Sequence, residues 1–292
     1  MKKIFPVYDI GTLSDFKQED ILISRFAPYL AIHKNLHLPH KHNFYHLLLF
    51  TEGSGSHAID FVNFAVKPYQ VYFMSPGQVH GWSFEGKVDG YVINFSPAFF
   101  QSFLLRPDYV EQFAFFGGEV NNSVIDLPDE LHSTVKEIME QVVAESEQNK
   151  ALALDMVKAL LLQFFITVNR VAAAHLPAVT PHNYLLFKNF QQLVEKNFNT
   201  LRLPRDYAAL LYVTPNHLNA LCNDVVGIPA GDLIRNRVVL EAKRLLVNFD
   251  LNINEISDRL NFTDNSYFSR FFKKQEGITP EEFRKKLKIK TS

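Results

Sequence analysis

Residues 253–284 read INEISDRLNFTDNSYFSRFFKKQEGITPEEFR, and their apolar spacing predicts a short helix, a tight turn and a second helix. Ile253, Ile256 and Leu260 recur at helical intervals, and Asn261-Phe262-Thr263 interrupts them. Phe268, Phe271 and Phe272 then mark the buried side of the second helix. Its other side carries Asn265, Ser266, Ser269, Arg270 and Lys273, which a step of about 100° per residue gathers on one exposed face. Amide, hydroxyl and guanidinium groups pair with base edges and phosphates. A helix-turn-helix whose second helix is polar and basic suits the major groove of DNA.

A weaker copy stands fifty residues earlier, at 203–234: LPRDYAALLYVTPNHLNALCNDVVGIPAGDLI. With that offset Leu203 falls on Ile253, Leu210 on Leu260, Tyr212 on Phe262, Leu218 on Phe268, Leu221 on Phe271, and Gly227-Ile228 on Gly277-Ile278. Thr214 suits an N-cap, with Pro215 at the first helical position. Between the copies, residues 229–248 read as one helix, with Leu233, Val238, Leu240, Leu245 and Leu246 inward and Arg235, Arg237, Lys243 and Arg244 outward. About 18 helical residues span roughly 27 Å, which suits two reading helices held about one DNA turn, roughly 34 Å, apart.

The tandem motif, EAKRLL before the second unit and NFTDNSYFSRFFKKQEGITPEEFR closing it, resemble the AraC/XylS family of bacterial transcription regulators over about the last 110 residues. The resemblance implies a sequence-specific regulator acting on double-stranded promoter or operator DNA. It further implies RNA polymerase as a partner with activation as an outcome, a small-molecule effector, and a homodimer. The base-facing positions it implies are Asn216 and Asn219 in the first unit and Asn265, Ser266, Ser269 and Arg270 in the second; Lys273 is the expected phosphate contact. Asn261 stands where the family usually has Gly, and Asn tolerates the left-handed conformation of a tight turn. Ala220 replaces a polar residue, so the first helix is expected to position more than it reads.

Charge divides along the same line. Residues 181–292 hold 17 Lys and Arg against 12 Asp and Glu, a net of +5; the remainder holds 13 against 19, a net of −6. A basic C-terminal third has the footprint of a polyanion partner, although solvated Lys-rich helix faces give a similar balance.

The chain of 292 residues is long enough for two domains. Its one cysteine, Cys222, excludes an intramolecular disulfide and fits a reducing cytoplasm. No run of about 20 apolar residues marks a membrane span, and MKKIFPVYDIG lacks the apolar segment of a signal peptide.

The N-terminal half reads as short strands at 45–50, 57–61, 69–74 and 91–95, with turns at Gly53-Ser54-Gly55 and Pro76-Gly77 and a helix start at Ser96-Pro97. Closely spaced short strands point to a β-barrel or jelly roll. Pro39-His40-Lys41-His42 with His46, and Pro76-Gly77-Gln78-Val79-His80, resemble a degenerate pair of cupin motifs over roughly residues 20–100. In enzymatic cupins such positions bind a metal. In sensor domains attached to regulators of this type the His-x-His stretch is often kept without one. His40, His42, His46 and His80 are therefore the candidate effector-pocket residues, with no metal and no cofactor expected. Phe44, Phe61, Phe64, Phe73, Trp82, Phe84 and Phe95 are either pocket walls or plain core.

Two helical stripes follow. Leu131, Val135, Ile138 and Val142 recur in 128–144, and Leu154, Val157, Leu161, Phe164 and Val168 in 151–171. The pair either forms the family's dimer interface or covers the barrel. Small residues and prolines at 175–181 mark a linker. The expected organisation is α+β and multidomain: a cupin-like effector-sensing β-barrel over 1–125, a helical segment over 126–174, the linker 175–181, and an all-α domain with two helix-turn-helix units over 182–292. A metal-dependent cupin enzyme with an accessory DNA-binding module is the alternative. No acid/base or nucleophile constellation accompanies the histidines, and an enzyme has no need of a doubled DNA-reading motif.

Overall fold

Strand alternation sorts the N-terminal residues onto two cores. The computed structural model describes residues 7–10, 20–33, 36, 39–101, 103–105, 109–117, 120–148, 150–173 and 181–290. The expected linker falls largely outside them. Within the unit Pro6–Leu176 the strands are β1 Val7–Tyr8, β2 Ile21–Arg25, β3 Lys41–His42, β4 Tyr45–Ile59, β5 Val62–Ala65, β6 Gln70–Met74, β7 His80–Phe95 and β8 Val124–Asp126. One sheet runs β2-β7-β4-β6-β8 with β5 added to β4, and β1 pairs in parallel with β3. Helix α1, Phe26–Ile32, follows β2 directly.

The expected turn at Gly53-Ser54-Gly55 is instead the middle of β4, which stays paired with β7 from Tyr45↔Phe95 to Ile59↔His80. Register shifts on either side of Glu52 bend the strand there, as bulges do. At Gly55, φ is +115° and a Cβ would sit 2.2 Å from the Ser83 carbonyl oxygen, so only glycine fits. The true reversal comes at Asp60 and Phe61, both with positive φ, which places Phe61 in a two-residue hairpin turn and not in a strand. β7 begins at His80 and not at Tyr91, and Ser96-Pro97 opens a turn without a helix.

Tyr45, Leu47 and Leu49 of β4, Phe73 of β6 and Tyr91, Ile93 and Phe95 of β7 face an outer core. The alternating Leu48, Phe50, Tyr72, Met74 and Val92 join Phe26, Tyr29, Ile59 and Trp82 in an inner core enclosed by the curled sheet. Of the expected pocket walls, Phe44, Phe64, Trp82 and Phe84 border the inner core, whereas Phe73 and Phe95 belong to the outer one. A one-residue step along a strand moves a side chain to the other face.

Helices α2, Asp129–Glu147, and α3, Ala153–Ala173, cover that outer face. Val135, Ile138 and Val142 of α2 and Val157, Leu161, Phe164 and Val168 of α3 are buried against the sheet, each full burial contributing about 1.5–3 kcal/mol. Both apolar stripes are thus spent inside the protomer. The segment 126–174 shares one core with the strands instead of forming a separate layer.

The second unit, described from Pro181, contains seven helices: α4 Pro181–Asn197, α5 Pro204–Leu210, α6 Pro215–Val226, α7 Ala230–Leu246, α8 Ile253–Arg259, α9 Asn265–Glu276 and α10 Pro280–Lys290. Phe187, Phe190, Tyr207, Leu218, Leu221, Cys222 and Ile234 form the core of its first half. Gly227 and Gly277 close α6 and α9 in the left-handed conformation, each N–H donating to the carbonyl four residues back.

The two copies superpose with a jog that a uniform offset misses. Val213 N–H donates to Ala208 O and Phe262 N–H to Ser257 O, both at 3.0 Å. Tyr212 and Asn261 hold the equivalent left-handed turn position, with φ of 56° and 54°. Leu211 therefore corresponds to Leu260, and Val213 to Phe262, an offset of 49. The second copy has one extra residue before its N-cap, Asp264, and from Thr214 and Asp264 onward the offset is 50. Several cations expected outside are also taken. Arg237 forks onto Glu195 at 2.6 and 2.7 Å and meets Glu241 at 3.0 Å. Lys243 pairs with Glu276, and Arg244 is buried at 4% exposure. Arg235 pairs with Asp232 but keeps an exposed side chain.

Candidate nucleic-acid interface and buried histidine cluster

The reading helices present their first turns to solvent. Thr214 Oγ1 accepts the His217 N–H at 3.1 Å, and Asp264 Oδ1 accepts the Tyr267 N–H at 2.7 Å. Each cap satisfies one orphan amide of its helix, and an unpaired amide at a helix start attracts phosphate. Asn216 is exposed on α6, and Asn265, Ser266, Arg270 and Lys273 are exposed on α9. Ser269 is half-buried and its Oγ donates to Asn265 Oδ1 at 3.3 Å, which orients that amide.

Asn219 differs from the other candidates. It is half-buried, and its Oδ1 accepts the Ala230 N–H at 3.1 Å. It fastens α6 to the start of α7, whose N-cap, Pro229, offers no side-chain acceptor. This bond commits Asn219 Oδ1 to a joint between helices. Two exposed residues escaped the sequence reading: His217 and Tyr267, which occupy equivalent positions in the first turns. The jog-free part of the repeat, from the N-caps onward, carries the signal that pairs them.

Arg202, also unremarked in the sequence, ties the start of the first helix-turn-helix copy to the second. Its guanidinium donates to the Leu260 carbonyl and lies 4.9 Å from the Phe262 ring centroid. Arg284 donates to the carbonyls of Leu246, Asn248 and Leu251, closing the end of α7. These cations hold carbonyls at helix ends and are not available to phosphate.

In the first unit the sheet gathers His40, His42, His46 and His80, all at 2% exposure or less. It adds His57 from near the end of β4, fully buried. His42 Nε2 lies 2.8 Å from His80 Nε2, and His57 Nε2 lies 3.0 Å from His80 Nδ1. His42 Nδ1 donates to the Phe44 carbonyl at 3.2 Å, and His46 Nδ1 meets Asn94 Oδ1 at 2.6 Å. Asn94 donates in turn to the Tyr29 hydroxyl at 3.4 Å. His46 Nε2 and His57 Nδ1 are buried with no hydrogen-bond partner. Burial, then the neighbouring imidazoles, holds His42, His57 and His80 well below the usual histidine range. Burial pushes His46 down to about 3, against the bond to Asn94. All four are neutral at pH 7, so each carries one nitrogen lone pair. His57 lies outside both sequence motifs, and only the pairing of β4 with β7 brings it to His80.

Residues 28–165 match the family described as AraC-like ligand binding domain, and residues 207–286 match one described as helix-turn-helix domain. The HTH-type transcriptional activator RhaR of Yersinia pestis is 22% identical over 280 residues, covering 93% of each chain. The uncharacterized HTH-type transcriptional regulator YijO of Escherichia coli is 26% identical over 100 residues, covering 34% of this chain and 35% of its own. Among solved structures, ToxT of Vibrio cholerae aligns over 92% of this chain and 97% of its own at 15% identity, with a TM-score of 0.45. No helix among the described residues is long and apolar enough to cross a membrane.

Proposed function

The chain belongs to the AraC/XylS family of transcription regulators, and on that premise we propose which residues read DNA and what governs the reading. It is a sequence-specific DNA-binding transcriptional regulator carrying an AraC-like ligand-binding domain. Asn265, Ser266 and Arg270 contact base edges from α9, with Ser269 orienting Asn265. Lys273 contacts phosphate. Asn216 supplies the contact from α6, flanked by His217, and Tyr267 plays the equivalent part on α9. The observation that carries this reading is the matched pair of capped, exposed first turns, joined through the 17-residue helix α7. That helix is about 25 Å long, against roughly 34 Å for one DNA turn.

Control lies in the first unit. An effector engaging His40, His42, His46 or His80 binds one arrangement of the protein better than another and shifts the population toward it. A homodimer sets four helix-turn-helix units on two half-sites. With both apolar stripes buried, dimerisation uses the outer side of α3, where Met156 and Ile166 are exposed. RNA polymerase is the partner through which activation proceeds.

Footprinting of the full chain on fragments of its own genome, with and without candidate metabolites, tests the reading. Two protected major-groove segments one turn apart within each half-site are expected, with affinity falling steeply as salt rises. Uniform, salt-independent retention of all fragments rejects it.

A further inference from the structure

We propose that His40, His42 and His80 form a three-imidazole site for a divalent transition-metal cation, supported from behind by His57. This deepens the effector reading and rests on the same cluster, but it concerns the first unit alone.

The geometry begins with the backbone. His40 and His80 exchange both hydrogen bonds of an antiparallel pair, N to O at 2.9 and 3.0 Å, which holds their backbones side by side. Their ring centroids are 4.2 Å apart. His42 follows on the same face two residues after His40. One ring nitrogen from each of the three lies within 4.8 Å of the other two. Zinc–imidazole bonds of about 2.0–2.1 Å in a tetrahedral site require nitrogens roughly 3.3 Å apart. The His42–His80 separation of 2.8 Å opens to that distance with a side-chain shift of about half an ångström.

The hydrogen bonds also fix which nitrogens of His42 and His80 face each other. The Phe44 carbonyl can only accept, so His42 carries its proton on Nδ1 and turns the Nε2 lone pair toward His80. His80 has His57 behind its Nδ1. When His80 Nε2 ligates, Nδ1–H donates to His57 Nε2, the outer bond that orients a metal-binding imidazole. Without a cation, the proton of His80 points at His42. His57 Nδ1 lacks a partner in either state. His46 is not one of the three nitrogens; its Nδ1 is held by Asn94.

The donor set selects the ion. Three imidazoles with no carboxylate among the three suit zinc, cobalt, nickel or copper, and not magnesium or calcium. Space points the same way. Tyr8 and Trp82 stand edge-on to His40 at 5.4 and 5.8 Å, and Trp82 is 5.2 Å from His80. These rings crowd the cluster, which favours a single ion over a larger ligand between the imidazoles.

Isothermal titration of the chelator-stripped full chain with Zn²⁺, and the visible spectrum of its Co²⁺ adduct, test the proposal in the absence of DNA. One equivalent per chain is expected, with the intense absorption of a four-coordinate Co²⁺ site. His42→Gln and His80→Gln each weaken uptake at least about 100-fold, and His57→Gln about 10- to 100-fold at unchanged stoichiometry. His182→Gln, on an exposed position of α4, leaves uptake unaltered. Far-UV spectra identify any variant that fails to fold, in which case the parent Co²⁺ spectrum decides alone. Absence of stoichiometric uptake by the parent, a weak six-coordinate Co²⁺ spectrum, or equal uptake by folded His42→Gln and His80→Gln overturns the proposal. Operator binding by the same samples is read separately, so a failure here leaves the DNA reading standing.

Discussion

Arg202, in the loop before the first helix-turn-helix, sits over the ring of Phe262 in the turn of the second, with its guanidinium carbon 4.9 Å from the ring centroid. The same group donates to the Leu260 carbonyl at the end of α8. The turn of the second reading unit is thus held by a residue that immediately precedes the first. A charge-assisted bond contributes about 1.5–3 kcal/mol and a cation–π contact about 0.5–1 kcal/mol at a partly exposed site. Arg202→Ala is expected to lower the stability of the helical unit by about 2–3 kcal/mol, with Arg202→Lys intermediate, in urea denaturation. An unchanged midpoint for the alanine variant is the contrary result.

Tyr212 holds the left-handed turn position that Asn261 holds in the second unit, with φ of 56° and its side chain 96% exposed. A residue with a Cβ is disfavoured there by about 1–2 kcal/mol. No burial offsets the strain, so Tyr212→Gly should stabilise the unit by about 1 kcal/mol, read as a raised denaturation midpoint. A lowered midpoint contradicts this.

Asn219 and Arg270 were equally good base readers by residue type, and the structure separates them. Asn219→Ala orphans the Ala230 N–H, costing about 1–3 kcal/mol of stability with operator preference kept. A changed base preference without loss of stability returns Asn219 to the reading face.

Arg270→Ala should weaken specific binding by about 1–3 kcal/mol and relax one base position. Lys273→Ala should weaken every sequence alike and reduce the log–log salt slope by about 0.9. Binding selections on randomised operators and salt titrations by fluorescence anisotropy distinguish the two outcomes. Parent-like preference in the first, or a parent-like slope in the second, removes the residue from its assigned role.

His42, His46, His57 and His80 carry a pH dependence for the metal-free protein. Their folded-state values lie below that of an unfolded chain, about 6.5. As pH falls below that value, the unfolded state takes up protons that the folded state refuses, and stability drops. The fall continues toward about 3, where His46 titrates in the fold. Each histidine contributes up to about 1.4 kcal/mol per pH unit. Stability should be flat above pH 7 and decline steeply below about 6.5. Trp82, the sole tryptophan, lies in the inner core beside these rings and reports the transition by fluorescence. A midpoint constant from pH 7 to 5 is the opposing observation.

Much of this molecule is written locally. The doubled helix-turn-helix, its caps at Thr214 and Asp264, the glycine stops at 227 and 277 and the stripes of α2 and α3 follow from periodicity and capping chemistry within a few residues. His40 and His42 were legible because alternation keeps residues two apart on one face, whereas His46 and His80 came from the resemblance to cupin motifs. What failed depended on pairing between distant residues. Gly53-Ser54-Gly55 reads as a turn until β7 lies beside it and a Cβ at Gly55 meets Ser83. Phe73 and Leu48 have the same apolar character, and only strand register decides which core each enters. The stripes of α2 and α3 identify apolar faces but not what covers them, and the sheet proves to be the cover. Cations behave likewise. Composition counts Arg202, Arg237 and Arg284 with Arg270, whereas the fold commits the first three to Leu260, Glu195 and the end of α7 and leaves Arg270 exposed to solvent. A sequence determines which elements form, because helix and strand periods are local. Which polar groups remain for a ligand is decided by tertiary structure, because a buried donor or acceptor takes whatever partner the packing brings to it.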